Sequence, residues 1–425
     1  MNNKESIEVV WQHSYKDDCL PNFAINMSQP RHRWYEFKEG FSSTLVSRAI
    51  REKREGDETL TILDPFSGSG TTPLTALQNG CNAIGFEVNP FMHFISKTKC
   101  KKSVLTVDEL RQELERILHQ EPFSVESSLE GISTFTKNGD KEKWLFNLDV
   151  IRTFQALKNH ISQSKEKDFF MLALITSIMQ CCNAKKDGKC LRYLNNWKEC
   201  NYSAVALREA FKTNALLMID DISTAPLLEG DRIIRHGDTR ELLKLLDDHS
   251  VDLTVFSPPY LNSFDYSDIY RPELFLGDFI KSNSELMELR KRTLRSHVQC
   301  RWEQCNTHPS AWVADIVCKL DTKKDDLWNS NIPNMVSSYF QDMEAVLKQS
   351  YRVSKENAQI WIVVGTSAYA GIEIPVDLIL ADIAKNNGWK LDGVYALRKL
   401  RTSSQCLDEN QEKVHLRESL IICRK

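Results

Sequence analysis

The sequence predicts an α/β fold, in which a mostly parallel, twisted sheet carries a large helical insertion and ends in an antiparallel hairpin. Residues 59–87 follow the order strand, glycine loop, helix and strand, which is a βαβ unit of a parallel sheet. Residues 103–220 repeat apolar positions at helical spacing and contain almost no strand pattern. Residues 389–400 and 417–425 are strand-like and joined by a polar loop, which predicts a hairpin at the sheet edge.

The βαβ unit is delimited by residues that start and stop helices. Its first strand is predicted over residues 59–63, its loop over 64–71 and its helix over 72–78, which Asn79-Gly80 ends. The second strand, residues 82–86, leads to Glu87, and Asn89-Pro90 begins another helix. Upstream of the unit, residues 33–50 start aromatic and then become helical.

The strand pattern resumes after the insertion. Strands are predicted over residues 232–236, 252–256 and 358–365 and helices over 336–353 and 376–388, whereas residues 262–335 look irregular. We therefore expect five segments, listed in chain order: a lead-in with the first part of the core (1–100), the helical insertion (101–230), a second part of the core (231–274), a second insertion (275–335) and the C-terminal part of the core (336–425).

Composition excludes several classes of protein. The 425 residues are 41% hydrophobic and 27% charged, which is ordinary for a globular protein, and the net charge of −3 means that nucleic acid would have to bind to local basic patches. Without a membrane-length apolar run or a signal-peptide pattern, we expect a cytoplasmic protein with no membrane contact. Its twelve cysteines should then be reduced thiols, and their spacing, including the isolated pair Cys300 and Cys305, predicts no metal site.

Gly68-Ser69-Gly70 lies where the first strand passes into a helix, a position at which glycines let the backbone approach a ligand. A dinucleotide-binding loop needs a third glycine where Pro73 stands, and a P-loop needs a lysine that is absent. A purely structural turn remains an alternative. The acidic start of the loop suits a cationic ligand better than a pyrophosphate, and Glu87 is placed to accept both hydroxyls of a ribose.

Two short motifs together carry a family resemblance. Residues 64–72, DPFSGSGTT, and residues 257–260, SPPY, resemble the S-adenosylmethionine-dependent DNA amino-methyltransferases, and the SPPY form is typical of the N4-cytosine branch. The resemblance covers residues 33–100, 232–270 and 336–425. It implies a Rossmann-like methyltransferase fold with S-adenosyl-L-methionine as the cofactor.

The resemblance also implies roles for individual residues. Asp64 would lie near the cofactor ammonium, Glu87 would hold the ribose and Asp238 would meet the adenine amino group. Residues 34–41 take the place of a further cofactor-contacting motif of the family. As alternatives, Glu87 could be a helix-capping acid and Asp238 the N-cap of a helix that starts at Thr239. The full set of expected cofactor-binding residues is Asp64, Pro65, Phe66, Gly68, Ser69, Gly70, Thr71, Glu87 and Asp238.

Ser257, Pro258, Pro259 and Tyr260 are the expected catalytic residues. The exocyclic amine of a base is a poor nucleophile, because its lone pair is delocalised into the ring. The Ser257 hydroxyl and the Pro258 carbonyl can accept the two amine hydrogens, while Pro259 fixes the backbone and Tyr260 stacks on an unstacked base. A strand-ending turn is the structural alternative. Methylation of a cytosine ring carbon is disfavoured, because that route typically uses a cysteine after a proline and none of the thirteen prolines precedes Cys.

The predicted function is methyl transfer from S-adenosylmethionine to the N4 amino group of cytosine in double-stranded DNA, by base flipping and direct in-line transfer. The expected setting is a restriction-modification system whose restriction endonuclease acts separately. An adenine N6-methyltransferase is the main alternative, since the same acceptors serve either amine, and RNA guanine is a further substrate to consider. A non-catalytic, methyltransferase-like subunit that binds nucleic acid is the alternative from another class.

Two basic stretches could contact DNA, or could each be a solvated helix face. The first, residues 185–198, combines Lys185, Lys186, Lys189, Arg192 and Lys198 with Tyr193 and Trp197. The second, residues 290–301, contains Arg290, Lys291, Arg292, Arg295 and Arg301, and Trp302 follows it. Each lies in an insertion, so the sequence leaves two candidate recognition regions and does not decide between them.

Overall fold

The computed structural model of the protein describes residues 7–11, 23–132, 134–137, 142–188, 190–303, 307–400 and 416–425. The strands are β1 (Val9–Trp11), β2 (Thr61–Asp64), β3 (Asn82–Glu87), β4 (Ala184–Asp187), β5 (Cys190–Tyr193), β6 (Arg232–His236), β7 (Val251–Phe256), β8 (Ser354–Gly365), β9 (Ser367–Tyr369), β10 (Ile372–Ile374), β11 (Lys390–Lys399) and β12 (Arg417–Arg424). The helices are α1 (Ser43–Lys53), α2 (Thr71–Gln78), α3 (Pro90–Lys99), α4 (Val107–His119), α5 (Leu148–Ile161), α6 (Lys167–Gln180), α7 (Ala204–Thr224), α8 (Thr239–Leu242), α9 (Tyr266–Ile269), α10 (Arg271–Leu276), α11 (Asn283–Arg292), α12 (Ala311–Thr322), α13 (Ile332–Val353) and α14 (Val376–Asn386).

The central sheet has eight strands in the order β1-β11-β12-β8-β7-β2-β3-β6. Strands β8, β7, β2, β3 and β6 run parallel to one another, whereas β12 is antiparallel to both β11 and β8. The predicted Rossmann-like methyltransferase fold, with its mostly parallel sheet and C-terminal antiparallel hairpin, is thereby confirmed. The hairpin is not the sheet edge, because β1 pairs in parallel with β11, with Val9 opposite Val394.

The strand order reverses between β2 and β7, and this reversal positions the site. From β2 the chain proceeds outwards to β3 and β6, and it then returns to the other side of β2 with β7 and β8. Both central strands are buried, as the apolar side chains of Ile62, Leu63, Val255 and Phe256 show. Ligands of open α/β sheets bind outside the carboxyl ends of the strands at such a reversal. The loops that follow β2 and β7 are those that carry the two motifs.

The predicted helical insertion forms helices α4 to α7, which share one hydrophobic core with Trp34 and Tyr35 and with residues of α10 and α11. Helix α4 begins at a capping box in which Thr106 and Glu109 satisfy each other's backbone N–H groups. The prediction of an almost strand-free insertion needs one correction, since β4 and β5 form an antiparallel hairpin. The Asp187-Gly188 dipeptide at its turn was the available signal, but the flanking residues are too polar to show an alternating pattern.

The stretch predicted to be irregular, residues 262–335, is also corrected, because it contains α9 to α12. Helices α9 and α10 span only four and six residues, and α11 has a narrow apolar face that buries only Leu286 and Leu289. A stripe of two residues is too short to stand out as helical periodicity. Helix α13 begins at Ile332, four residues before its predicted start, with Pro333 in its first turn.

No helix of the described residues combines the length and the apolarity needed to cross a membrane. The same part of the chain contains no group of three or more His, Cys, Asp or Glu side chains that could hold a metal ion. Its nine cysteines are free, whereas Cys305 of the isolated cysteine pair lies outside the described residues.

Candidate active site at the reversal of strand order

The glycine loop after β2 is tightly enclosed. Gly68 and Gly70 have φ values of 49° and 88°, which L side chains rarely adopt. A Cβ atom on Gly68 would lie 2.9 Å from Phe37 Cε1, and one on Gly70 would lie 2.9 Å from the Ser96 Cα. The loop therefore needs glycine at both positions, for its backbone angles and for the approach of Phe37 and α3.

Glu87, the last residue of β3, connects the glycine loop to the start of the next helix through hydrogen bonds. Its Oε2 accepts a hydrogen bond from Gly68 N at 2.9 Å and its Oε1 accepts one from Asn89 N at 2.8 Å. Burial raises the pKa of this carboxyl to about 7, while the backbone hydrogen bonds oppose the shift. Each carboxylate oxygen has a second lone pair, so the group can still accept two hydroxyl donors from a ligand.

Asp64, the last residue of β2, is buried behind the loop, with 1% of its surface exposed. Its Oδ1 accepts a hydrogen bond from Phe66 N at 2.9 Å, and burial raises the pKa of the carboxyl to about 7. Asp64 is not among the residues that line the adjacent cavity. The hydrogen bond to Phe66 N gives Asp64 a part in shaping the loop, and its expected place near a cofactor ammonium stays a prediction.

Asp238 follows β6 and caps α8, as the structural alternative predicted. It accepts a hydrogen bond from Arg240 N at 2.9 Å, and the Arg240 guanidinium binds both of its carboxylate oxygens. Arg240 also pairs with Asp342 of α13 at 2.7 Å. The hydroxyl of Thr239 is buried and has no hydrogen-bond partner among the described residues. Since Asp238 and Thr239 both line the cavity, a ligand there would find an oriented carboxylate and an unpaired hydroxyl.

The segment from Ser257 to Tyr260 leaves β7 beside the glycine loop. The Tyr260 hydroxyl donates to Glu418 of β12, which in turn accepts from Arg398 Nε at 2.5 Å. Burial and the neighbouring Glu418 raise the pKa of Tyr260 well above its usual value, so the hydroxyl stays protonated. The Tyr260 ring lies against Gly365, where a Cβ atom would be 3.0 Å from the ring. The ring is thus held at one end by a hydrogen bond and along one edge by backbone.

A cavity of about 400 Å³ joins these elements. Nine of the predicted residues line it: Pro65, Phe66, Gly68, Glu87, Asp238, Ser257, Pro258, Pro259 and Tyr260. Asp64, Ser69, Gly70 and Thr71 do not line it. Phe37 and Glu39, from the predicted aromatic segment 34–41, form part of the wall. One cavity therefore contacts both motifs as well as the residue pair expected to hold a nucleoside.

Several cavity residues were not predicted from the sequence. They include Arg240, Asn262, Asp265, Tyr266 and His297, whereas Arg292, which also lines the cavity, was expected only as a DNA contact. Asp265 and Tyr266 follow the SPPY segment closely, so the sequence indicated that they lie near the site but not that they line it. No sequence pattern indicated His297. Its Nε2 lies 2.9 Å from Thr293 Oγ1, and burial lowers the pKa of the imidazole.

Lys186 of the hairpin β4–β5 reaches the same cavity. Its Nζ lies 2.6 Å from Glu273 Oε1, donates to the Tyr35 hydroxyl at 2.6 Å and lies 3.7 Å from the centre of the Tyr270 ring. The Tyr270 hydroxyl donates to Glu39 Oε2 at 2.6 Å. Lys186 therefore attaches the first insertion to the wall of the site through buried, charge-assisted contacts.

The two basic stretches differ in the structure. In the second, Arg290 pairs with Asp265 at 2.6 Å and Arg295 pairs with Asp342 at 2.7 Å, and both acids are nearly buried. In the first, Lys185, Arg192 and Lys198 are exposed, while Lys189 lies outside the described residues. The second stretch thus directs two of its arginines into the protein.

Comparison with known proteins identifies a matching DNA methylase family model and similar Type II methyltransferases. Residues 2–98 match the family model N6_N4_Mtase, described as DNA methylase. The chain is 25% identical to the Type II methyltransferase M.BsoBI of Geobacillus stearothermophilus over 99% of this chain and 91% of that protein. It is 25% identical to the Type II methyltransferase M.AvaI of Nostoc sp. over 96% of this chain and 89% of that protein.

Among solved structures, the rRNA methyltransferase aviRa from Streptomyces viridochromogenes is 12% identical, with a TM-score of 0.29 over 90% of this chain and 85% of that one. This likeness is too weak to support a conclusion. The chain is thus similar to the N4 and N6 DNA methyltransferases, and the matches do not separate the two branches.

Proposed function

We propose that the protein transfers a methyl group from S-adenosylmethionine to the N4 amino group of cytosine in double-stranded DNA. The observation that carries the proposal is the single cavity that the glycine loop, Glu87, Asp238 and the Ser257–Tyr260 segment all line. A methyl donor and an acceptor amine must lie close together for direct transfer, and one shared cavity provides that proximity.

S-adenosylmethionine is the cofactor, and the residues of the cavity fit it. Glu87 has a free lone pair on each oxygen for the two ribose hydroxyls, and Asp238 with the unpaired Thr239 hydroxyl suits the polar edge of adenine. Gly68 and Phe37 border the space between these groups and the catalytic segment. The cofactor supplies a methyl group that its sulfonium has already activated.

The Ser257–Tyr260 segment acts on the base. Ser257 Oγ and the Pro258 carbonyl oxygen accept the two hydrogens of the amine, which frees its lone pair for attack. Pro259 has no N–H and a fixed φ, so the preceding carbonyl keeps its direction. Tyr260, held by Glu418 and Gly365, offers a stationary ring face on which the base stacks. Since the cavity lies within the protein, the cytosine has to leave the duplex to reach it.

DNA is the substrate that the comparisons favour, because the matching family model describes a DNA methylase and the curated relatives are Type II methyltransferases. We therefore place the enzyme in a restriction-modification system, in which a restriction endonuclease acts separately on the same site. The preference for cytosine rests on Ser257, since the SPPY form resembles the N4 branch.

Adenine N6 methylation is the second candidate, because the same two acceptors would serve an adenine amine. A non-catalytic subunit is the candidate from another class, and the intact Glu87, Ser257 and Tyr260 argue against it.

Incubation of the purified protein with unmodified duplex DNA and S-adenosylmethionine labelled in its methyl group tests the proposal. Label should appear in the DNA and should decrease in the Ser257→Ala variant. Binding of DNA without any affinity for the cofactor would instead identify a non-catalytic subunit.

A further inference from the structure

We propose that the phosphate backbone of the duplex binds to an exposed basic surface of the first insertion, and that the second basic stretch is not the main phosphate-binding surface. The surface consists of Lys137, Lys143, Lys185, Arg192 and Lys198, all exposed, and we call it the hairpin patch. This inference rests on the proposed function, because that function supplies DNA as the ligand.

The charge of the hairpin patch departs from that of the chain. Residues 184–198 contain five Lys or Arg and one acid, Asp187, in a chain whose net charge is −3. Lys185 and Arg192 are direct partners across the hairpin β4–β5, so their side chains lie on the same face. Arg192 forms an ion pair with Asp187, but both side chains are exposed, to 67% and 44% respectively. Solvent therefore screens the pair, and Arg192 keeps most of its charge for a ligand.

Three packed aromatic rings lie beneath part of the hairpin patch. Trp197 contacts Trp144, with ring centroids 4.8 Å apart, and Tyr193, at 5.7 Å. A lysine lies over each ring: Lys137 over Trp144, Lys143 over Tyr193 and Lys198 over Trp197, at 5.6 to 5.8 Å from the centroids. Proximity to a ring face leaves an ammonium its full charge, which remains available to a phosphate. Exposed cations around aromatic rings are suited to a nucleic-acid backbone.

The hairpin patch and the site share the hairpin β4–β5. Lys186 and Gly188 belong to the same hairpin and line the cavity. The interactions of Lys186 with Glu273, Tyr35 and Tyr270 hold the hairpin against the cavity wall. A duplex whose backbone lies on the patch would therefore contact the same hairpin that lines the cavity.

The second basic stretch provides fewer free cations. Arg290 and Arg295 are engaged by the nearly buried acids Asp265 and Asp342. Lys291 pairs with Glu288, but this ion pair is as exposed as that between Arg192 and Asp187, so Lys291 keeps its charge. An arginine that already neutralises a buried carboxylate has little charge to offer to a phosphate. Arg292 faces the cavity and Arg301 is exposed, so this stretch can supply isolated phosphate interactions but not a continuous surface.

The test compares two variants of the full-length protein. The first is the quadruple variant Lys143→Gln, Lys185→Gln, Arg192→Gln and Lys198→Gln, and the second is Lys291→Gln with Arg301→Gln. Binding to a short, fluorescently labelled duplex of mixed sequence is measured between about 50 and 200 mM salt. The slope of log K against log salt should decrease by about 0.9 for each phosphate that the quadruple variant no longer neutralises, and its binding at low salt should weaken on the order of tenfold per phosphate.

The second variant should lose less of the slope for each substituted charge than the quadruple variant does. Thermal unfolding and affinity for S-adenosylmethionine should be unchanged in the quadruple variant, since its substitutions are exposed and lie outside the cavity. A wild-type slope in the quadruple variant, or a larger decrease of the slope per substituted charge in the second variant, would overturn the inference. A wild-type protein that binds duplex through the patch without methylating it would contradict the proposed function alone.

Discussion

At the scale of single residues, Ser257 carries the chemistry of the proposed reaction. If its hydroxyl accepts an amine hydrogen as the transition state forms, Ser257→Ala should lower the single-turnover rate of methyl transfer by about 10²- to 10³-fold. Cofactor affinity, measured by calorimetry, should stay nearly unchanged, because Glu87 and Asp238 are intact. Ser257→Thr keeps the hydroxyl and should lower the rate less. Equal decreases in rate and in cofactor affinity would indicate a structural role.

Glu87 makes cofactor binding dependent on pH. Burial raises the pKa of Glu87 to about 7, so its carboxylate is progressively protonated as the pH falls through that value. If the ionised group accepts both ribose hydroxyls, as proposed, cofactor affinity should be full above pH 7 and decrease by up to about tenfold per pH unit below it. Calorimetric titration over this range measures the effect.

Glu87→Gln is the matched variant for this titration. It should bind the cofactor more weakly at high pH and lose affinity less steeply as the pH falls. Burial also raises the pKa of Asp64 to about 7, so an unchanged steepness in the variant would assign the titration to that residue instead.

The sequence predicted which residues line the site more successfully than it predicted the side chains that they contact. The glycines and Glu87 stand at strand ends, where topology alone brings them together, and their placement could be predicted. The pairing of Asp342 with Arg240, which also binds Asp238, joins side chains about a hundred residues apart in sequence. No local pattern reports such interactions.

At the scale of secondary-structure elements, the attachment of the N-terminal segment to α7 shapes the site. Asp221 of α7 is fully buried and accepts hydrogen bonds from Arg31 N at 2.8 Å, Trp34 Nε1 at 3.0 Å and the Arg33 guanidinium. Asp221→Ala leaves these donors unpaired and should lower the free energy of unfolding by about 3 kcal/mol. Denaturation with urea measures the change.

The neighbouring Asp220 offers a control on the same helix. Its side chain is 58% exposed and pairs with the exposed Arg111. Asp220→Ala should therefore change the free energy of unfolding by less than about 0.5 kcal/mol. Similar effects of the two substitutions would show that Asp221 does not hold the segment in place.

The elements that the sequence missed share a physical cause. Helix α11 and the hairpin β4–β5 bury few residues of their own, and they are stabilised by interactions with other parts of the chain. The long helices α5 and α13 bury wide apolar faces and could be predicted. Local periodicity of apolar residues predicts helices and strands that bury a full face. The remaining elements are stabilised by tertiary packing, which local periodicity does not show.

At the scale of the whole molecule, the parallel sheet was predictable because strands β2 and β3 are short apolar runs that each lead into a helix. The edge strand β1 was not, since three residues give no periodicity and its pairing with β11 joins the two ends of the sequence. The boundaries of the five predicted segments stay predictions. Parts of both insertions lie in one core with Trp34 and Tyr35, so the segments do not form separate cores.

Identification of the methylated nucleoside tests the central claim most directly. Unmodified duplex DNA is incubated with the enzyme and S-adenosylmethionine, digested to nucleosides and analysed by chromatography with mass spectrometry. We expect N4-methyl-2′-deoxycytidine as the product, absent when S-adenosylmethionine is omitted. N6-methyl-2′-deoxyadenosine as the sole product would contradict the claim.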